Sequence, residues 1–194
     1  MRGAMSEVKN ILLVGVGGQG TILVGRLLSN GLLEAGYDVK MSEVHGMAQR
    51  GGSVSNQVRY GAKVHSPIID RGQADILVAF ETMEAVRWSP YLKKGGRIVV
   101  NDCRIPSAPI LAGQAQYPEG LLEALEAQAP TTVIKAVALA EALGNPKAMN
   151  IVLLGALVKK MDLGGLDWAS RIKTGVKPAF VELNLKAFQA GYQA

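Results

Sequence analysis

The chain has 194 residues, 48% of them hydrophobic, with 21 Lys and Arg against 16 Asp and Glu for a formal charge of +5. That is enough for one well-buried core and too little to argue for two, and the positive charge suits an anionic ligand, although Lys and Arg are scattered and form no nucleic-acid-binding stripe. The lone Cys103 excludes an internal disulfide and any cysteine-ligated iron–sulfur cluster held by this chain alone.

Residues 1–8 are polar and read as a flexible start, with Met5 an alternative to Met1 as first residue, and residues 9–194 as a single domain. No apolar leader core opens the chain, and no run approaches the roughly 20 apolar residues of a bilayer span. A soluble, cytoplasmic protein is expected.

Ile11 to Val14 is a short continuous apolar run, the mark of a strand covered on both faces. It runs into GVGGQG, in which Gly15, Gly17 and Gly20 keep the GxGxxG spacing, and Thr21 to Leu33 follows at helical spacing. Gly36 breaks that helix, and Asp38 to Val44 reads as the next strand, delivering Ser42 and Glu43 to the sheet's carboxyl edge. The stretch SEVHGMAQRGGSVSNQVR, Ser42 to Arg59, then places charge, amides and three glycines where a plain connection would serve. Val54, Val58 and Tyr60 predict extended chain, and Gly61-Ala62 before Lys63 to Ser66 predicts a hairpin turn.

Ile76 to Ala79 and Arg97 to Val100 are strand candidates, separated by a short helix over Thr82 to Trp88 and a turn at Lys93-Lys94-Gly95-Gly96. From Cys103 to Pro118, three prolines and a glycine predict a wandering connection. Alternation resumes with Leu121 to Ala127, Thr131 to Ile134 and Ala136 to Leu143. Asn150 to Lys160 is an apolar helix whose Gly155 and Ala156 permit close packing, and Pro178 starts a last helix over Ala179 to Ala190. The fold class is α/β: a three-layer α/β/α sandwich with a mostly parallel sheet, an antiparallel hairpin and a Rossmann-like start.

Glycines at the end of a buried strand let the backbone turn tightly, and the next helix offers unpaired N–H groups to an anion. Gly15, Gly17, Gly18, Gln19 and Gly20 are therefore candidate ligand contacts, the alternative being that the glycines serve only strand-to-helix packing. In an NAD site an acidic residue about 20 positions on would meet the ribose; Glu43 stands farther along, in an unusual loop, which disfavours a nicotinamide dehydrogenase. His45, Gln49 and Arg50 supply a titratable ring, an amide and a forked cation, and Gly51, Gly52 and Ser53 allow close backbone approach. Such a loop clamps a phosphate or carboxylate, docks a partner subunit, or is a solvated turn. His65 stands twenty residues from His45, so no metal site is expected. Cys103 ends a strand, where nucleophiles occur, yet a single cysteine without a Gly-x-Ser-x-Gly elbow reads as a small buried hydrophobe. Glu81 and Glu84 read as helix-start charges, and no catalytic role is assigned.

With GVGGQG near the start, HGMAQRGGSV after the second strand, and ADILVAFETMEAVR and NIVLLGAL later, the chain resembles the gamma-type domain of the 2-oxoacid:ferredoxin oxidoreductases over nearly its whole length. QRGG resembles the family at large, and HGMAQ is most similar to the small subunit of its indolepyruvate branch. The resemblance implies a supporting subunit without clusters, inactive alone, whose large alpha subunit carries thiamine diphosphate and iron–sulfur clusters. The implied reaction is oxidative decarboxylation of an aryl 2-oxoacid such as indolepyruvate, giving an acyl-CoA, carbon dioxide and reduced ferredoxin. It also implies that Gly17 to Gly20 and His45 to Ser53 border the active site and contact coenzyme A or the substrate carboxylate. The alternatives are a gamma subunit for pyruvate, ketoisovalerate or oxoglutarate, a free-standing nucleotide-binding α/β protein, and a homodimer joined through Leu153, Leu157 and Val158.

Overall fold

The computed structural model describes residues 7–46 and 50–194. In chain order these form β1 (Lys9–Val16), α1 (Thr21–Glu34), β2 (Asp38–His45), β3 (Ser53–Gly61), β4 (Ala74–Ala79), α2 (Thr82–Trp88), β5 (Leu92–Asn101), α3 (Ala108–Leu111) and α4 (Leu121–Gln128). There follow β6 (Thr131–Ile134), α5 (Ala136–Ala142), α6 (Met149–Lys160), α7 (Trp168–Gly175) and α8 (Val181–Gln193). None of the described helices is long and apolar enough to cross a membrane.

The strands make one sheet in the order β2-β3-β1-β4-β5-β6. β1, β4, β5 and β6 are mutually parallel, whereas β3 runs antiparallel to both of its neighbours. Alternate residues of the central strands serve opposite cores, as the two-residue period requires. Ile11, Leu13, Ile76, Val78 and Val99 join Val24, Leu28, Ile151 and Trp168 on the face covered by α1, α5, α6, α7 and α8. Leu12, Val14, Leu77, Ala79, Ile98 and Val100 join Ala85 and Leu125 on the face covered by α2 and α4. Each fully buried Leu or Ile contributes roughly 1.5–3 kcal/mol, and this two-sided coverage is why the strand sequences run apolar without alternation. The three-layer α/β/α expectation holds.

The hairpin lies elsewhere than expected. β2 and β3 are its arms, closed through residues 46–52, and residues 63–66 form no strand. Both edges of β3 are already taken by β1 and β2, so no ladder position remains for a returning strand. Side chains hold the chain after Gly61 instead: Asp38 Oδ2 accepts the Val64 N–H at 2.8 Å, and Arg59 Nη1 donates to the carbonyls of Ser66 and Ile68. The expected turn at Lys93-Lys94-Gly95-Gly96 is part of β5, absorbed as a register shift opposite Ala74 to Ile76, with Gly95 at φ +79°. The helix α7 was not foreseen; its signal is Asp167, whose carboxylate accepts the Ser170 N–H as an N-cap. The last helix begins with a 3-10 turn over Pro178–Phe180 before α8.

As expected of Gly155, α6 and α8 meet backbone to backbone. A Cβ on Gly155 would lie 2.1 Å from the Phe188 carbonyl oxygen, and one on Gly191 would lie 1.7 Å from that of Val152. Because α6 buries every residue from Met149 to Val158, Leu153, Leu157 and Val158 belong to the core and offer no dimer surface.

Candidate functional site

The turn from β1 into α1 is built around Gln19. Its Oε1 accepts the Val16 N–H and its Nε2 donates to the Phe80 carbonyl, both at 2.8 Å, so the amide clasps the ends of β1 and β4 together. Gly15 makes room for it, since a Cβ there would stand 2.8 Å from Gln19 Oε1 and 2.9 Å from Phe80 Cβ. Both ends of the Gln19 amide are therefore engaged within the chain. Gly18 and Gly20 take φ +106° and +82°, conformations that side chains disfavour. Gly20 is the N-cap of α1 with no side-chain cap, and no acidic residue stands in the first turn, so that positive helix end has no compensating side chain.

The second glycine loop lies directly against the first. The β1–β3 ladder ends at Val16 opposite Ser53, and two further bonds prolong it: Gly17 N–H donates to the Gly52 carbonyl at 2.8 Å, and Gly51 N–H donates to the Gly17 carbonyl at 3.2 Å. Gly51 takes φ +76° to do so. His45 and Arg50 are exposed at the ends of the β2–β3 loop, and His45 Nδ1 lies 3.1 Å from the Gly46 carbonyl. Gln49 lies outside the described residues. Ser53 is not brought to this group: its hydroxyl donates to the Glu84 carboxylate and accepts from Trp88 Nε1 at 3.3 Å, toward the helical layer of α2.

Between the two loops sits a cavity of about 290 Å³, lined by Gly17, Gly18, Gly20, Thr21, Glu43, His45 and Asn56 among others. Asn56 is a residue that sequence reasoning missed. It is fully buried, and neither end of its side-chain amide has a hydrogen-bond partner among the described residues. Leaving such a group unpaired costs about 1–3 kcal/mol, so an amide held at a cavity wall is poised for an occupant that both donates and accepts. The signal was available: Val54, Asn56, Val58 and Tyr60 alternate onto one face of β3, and Asn56 is the polar residue in that otherwise apolar set.

On the other side of the β1–α1 turn a cleft of about 770 Å³ opens, walled by Gly18, Gln19 and Gly20 and by Cys103, Met149 and Asn150. It lies at the carboxyl ends of β1 and β5, where open α/β sheets place ligands. Burial pushes the half-buried Cys103 thiol above its ordinary range, helped by the charges of Glu81 and Asp102. The thiol is therefore held protonated, the opposite of an activated nucleophile.

Glu81 is fully buried and caps α2: its carboxylate accepts the Glu84 N–H at 2.8 Å, the Ile105 N–H at 3.1 Å and the Tyr117 hydroxyl. Burial and that bond to Glu81 push the Tyr117 phenol well up. Glu84 bonds Ser53 and pairs with Arg87 at 3.0 Å. These carboxylates anchor the connection after β5 and the start of α2, as a helix-start reading requires.

The family model for pyruvate ferredoxin/flavodoxin oxidoreductase matches residues 10–194. The chain belongs to that family. It is 39% identical to indolepyruvate oxidoreductase subunit IorB of Pyrococcus horikoshii and 37% identical to that of Thermococcus kodakarensis, covering 95% of this chain and 95% of the relative in each case. Identity to 2-oxoglutarate synthase subunit KorC of Methanothermobacter thermautotrophicus is 32%, over 96% of this chain and 95% of the relative. Among solved structures, the keto/oxoacid ferredoxin oxidoreductase gamma subunit of Geobacter sulfurreducens matches with a TM-score of 0.70 at 28% identity, over 95% of this chain and 96% of that one. The 2-oxoglutarate:ferredoxin oxidoreductase of Magnetococcus marinus, solved with 2-oxoglutarate, coenzyme A and succinyl-CoA bound, matches with a TM-score of 0.71 at 18% identity. There this chain is covered to 97% but corresponds to only 31% of the longer protein, and the likeness is one of fold. The gamma-type resemblance read from GVGGQG and HGMAQRGG is thus borne out, and the IorB relatives stand nearer than the KorC ones.

Proposed function

We propose that residues 9–194 act as a single gamma-type domain and that the chain is the cluster-free subunit of an indolepyruvate:ferredoxin oxidoreductase. The observation that carries this reading is the 39% identity to an IorB subunit over 95% of both chains. The chain's donor set agrees with a supporting role. It has one cysteine, too few to ligate an iron–sulfur cluster by itself. Thiamine diphosphate and iron–sulfur clusters belong in this reading to a large alpha subunit, through which ferredoxin is reached. When bound there, they supply the decarboxylation and carry the electrons to ferredoxin.

This chain's residues would bind and position. The uncapped start of α1 and the Arg50 guanidinium present positive charge beside the joined glycine loops, which suits the carboxylate of a 2-oxoacid or the phosphates of coenzyme A. Gly17, Gly18 and Gly20 let backbone approach the ligand, His45 and Arg50 face it, Gly51 and Gly52 lock the second loop to the first, and Gln19, with the room Gly15 leaves for it, and Ser53 hold the two strand ends from behind. The protein is taken as soluble and cytoplasmic.

The test is aryl-pyruvate- and coenzyme-A-dependent ferredoxin reduction by this chain with and without its alpha subunit. Activity appears only with both; turnover by this chain alone sinks the assignment. A panel adding 2-oxoglutarate and pyruvate separates the indolepyruvate reading from a KorC-like one. Arg50→Ala raises the KM for coenzyme A if the contact is direct, and lost assembly with unchanged KM assigns Arg50 to docking.

A further inference from the structure

The small cavity between the two glycine loops is dipolar, with a positive wall, a negative wall and an idle amide between strands and helix. We propose that it binds an α-amino acid with an apolar side chain, its carboxylate on the start of α1, its ammonium on Glu43, and both ends of the Asn56 amide engaged by the same zwitterionic head. Such binding needs no alpha subunit, so its failure would leave the subunit assignment above intact.

The positive wall is the start of α1, a helix of 14 residues with no side-chain cap and no acidic residue in its first turn. Thr21 and Ile22, whose N–H groups have no helical acceptor, line the cavity together with Gly18 and Gly20. The negative wall is Glu43, which is exposed and enters no ion pair among the described residues. Asn56 shares the cavity with both. It is fully buried, and neither its Oδ1 nor its Nδ2 has a partner among the described residues. It also stands directly opposite Glu43 across the β2–β3 ladder, so the two side chains lie on one face of the sheet.

An occupant that satisfies this amide must accept from Nδ2 and donate to Oδ1. A carboxylate alone only accepts, and an ammonium alone only donates. The head of an amino acid does both, and its two charges match the helix start on one side and Glu43 on the other. Ile22, 38% exposed, and Val54 supply apolar lining for the side chain. The volume of about 290 Å³ stands near the lower bound of small-molecule sites and suits a ligand of this size.

The full-length chain is titrated calorimetrically with L-leucine, L-methionine and L-phenylalanine, each set against its 2-oxoacid, which lacks the ammonium, and its amine, which lacks the carboxylate. One or more of the amino acids binds at least about tenfold more tightly than either analogue. Glu43→Gln, an exposed change, raises the Kd of that amino acid about tenfold and leaves the binding of its 2-oxoacid unchanged. Asn56→Leu, close in volume, abolishes amino-acid binding while the melting temperature of the ligand-free chain stays level or rises, because an unpaired amide has left the interior. Absence of binding by all three amino acids, a 2-oxoacid binding as tightly as its amino acid, or Kd values indifferent to both substitutions would each overturn the proposal. So would an Asn56→Leu chain that melts well below the parent, since the amide would then be in use within the fold.

Discussion

Gly20→Ala tests whether the β1–α1 turn is held by contact with α6 as well as by its own backbone. At φ +82° an alanine pays about 1–2 kcal/mol for the left-handed conformation. Its Cβ would also stand 2.3 Å from Asn150 Nδ2, the free end of a side chain that can turn aside at about 0.5–1.5 kcal/mol for the rotamer shift. Reduced freedom of the unfolded chain returns about 0.4–1 kcal/mol, leaving a net loss of about 2 kcal/mol. For a chain of this length that lowers Tm by about 4–8 °C, readable by circular dichroism. Asn150→Ala removes Nδ2 and Cγ but keeps a Cβ at 3.5 Å, ordinary contact distance. In the Asn150→Ala background Gly20→Ala therefore costs about 1 kcal/mol less, the coupling that a double-mutant cycle isolates. Gly18→Ala is the internal control: φ is +106° and no atom of the described residues lies within 4 Å of its Cβ, so the backbone cost dominates. Additive losses at Gly20 and Asn150 would refute the reasoning.

Gly191→Ala drives a methyl into the Val152 carbonyl, and since backbone cannot give way, α8 separates from α6 at a cost of about 3 kcal/mol or more, seen as a lowered denaturation midpoint. Glu81→Ala leaves the Glu84 and Ile105 N–H groups and the Tyr117 hydroxyl without their acceptor and costs about 4 kcal/mol, whereas Glu81→Gln keeps an acceptor oxygen and loses less than half of that; equal losses would contradict the capping account. Alkylation of Cys103 by iodoacetamide stays slow at neutral pH and rises with a midpoint above the usual ~8.5 of a free thiol, and a lower midpoint would contradict a thiol kept protonated by burial and neighbouring carboxylates. Burial raises the phenols of Tyr60 and Tyr117 above their unfolded value, so the fold favours their protonated forms. Their contribution is complete below about pH 10 and falls away as pH rises beyond it. Unfolding free energy should decline on that side, less steeply in Tyr60→Phe.

Much of the architecture is legible in local pattern. Ile11 to Val14 and Ile76 to Ala79 announce strands buried on both faces because neither face offers a polar alternate, and Gly155 marks a helix crossing because an all-apolar helix has little other use for a glycine. The family is legible in HGMAQRGG and GVGGQG, and the glycine spacing places a turn with an open helix start where one is found. What local pattern cannot carry is who pairs with whom. Nothing in Gly61-Ala62 reveals that β3 is already flanked on both sides by β1 and β2, which is why the expected return strand is absent. Whether Gly17 bonds Gly52, whether the Gln19 amide is spent between Val16 and Phe80, and whether Ser53 turns toward Glu84 are settled by strands brought together from distant parts of the chain. The idle amide of Asn56 depends on desolvation by neighbours contributed from several elements. Periodicity and backbone preference are local and can be read from residue order, whereas hydrogen-bond satisfaction and burial are sums over the packed molecule that only the tertiary structure evaluates.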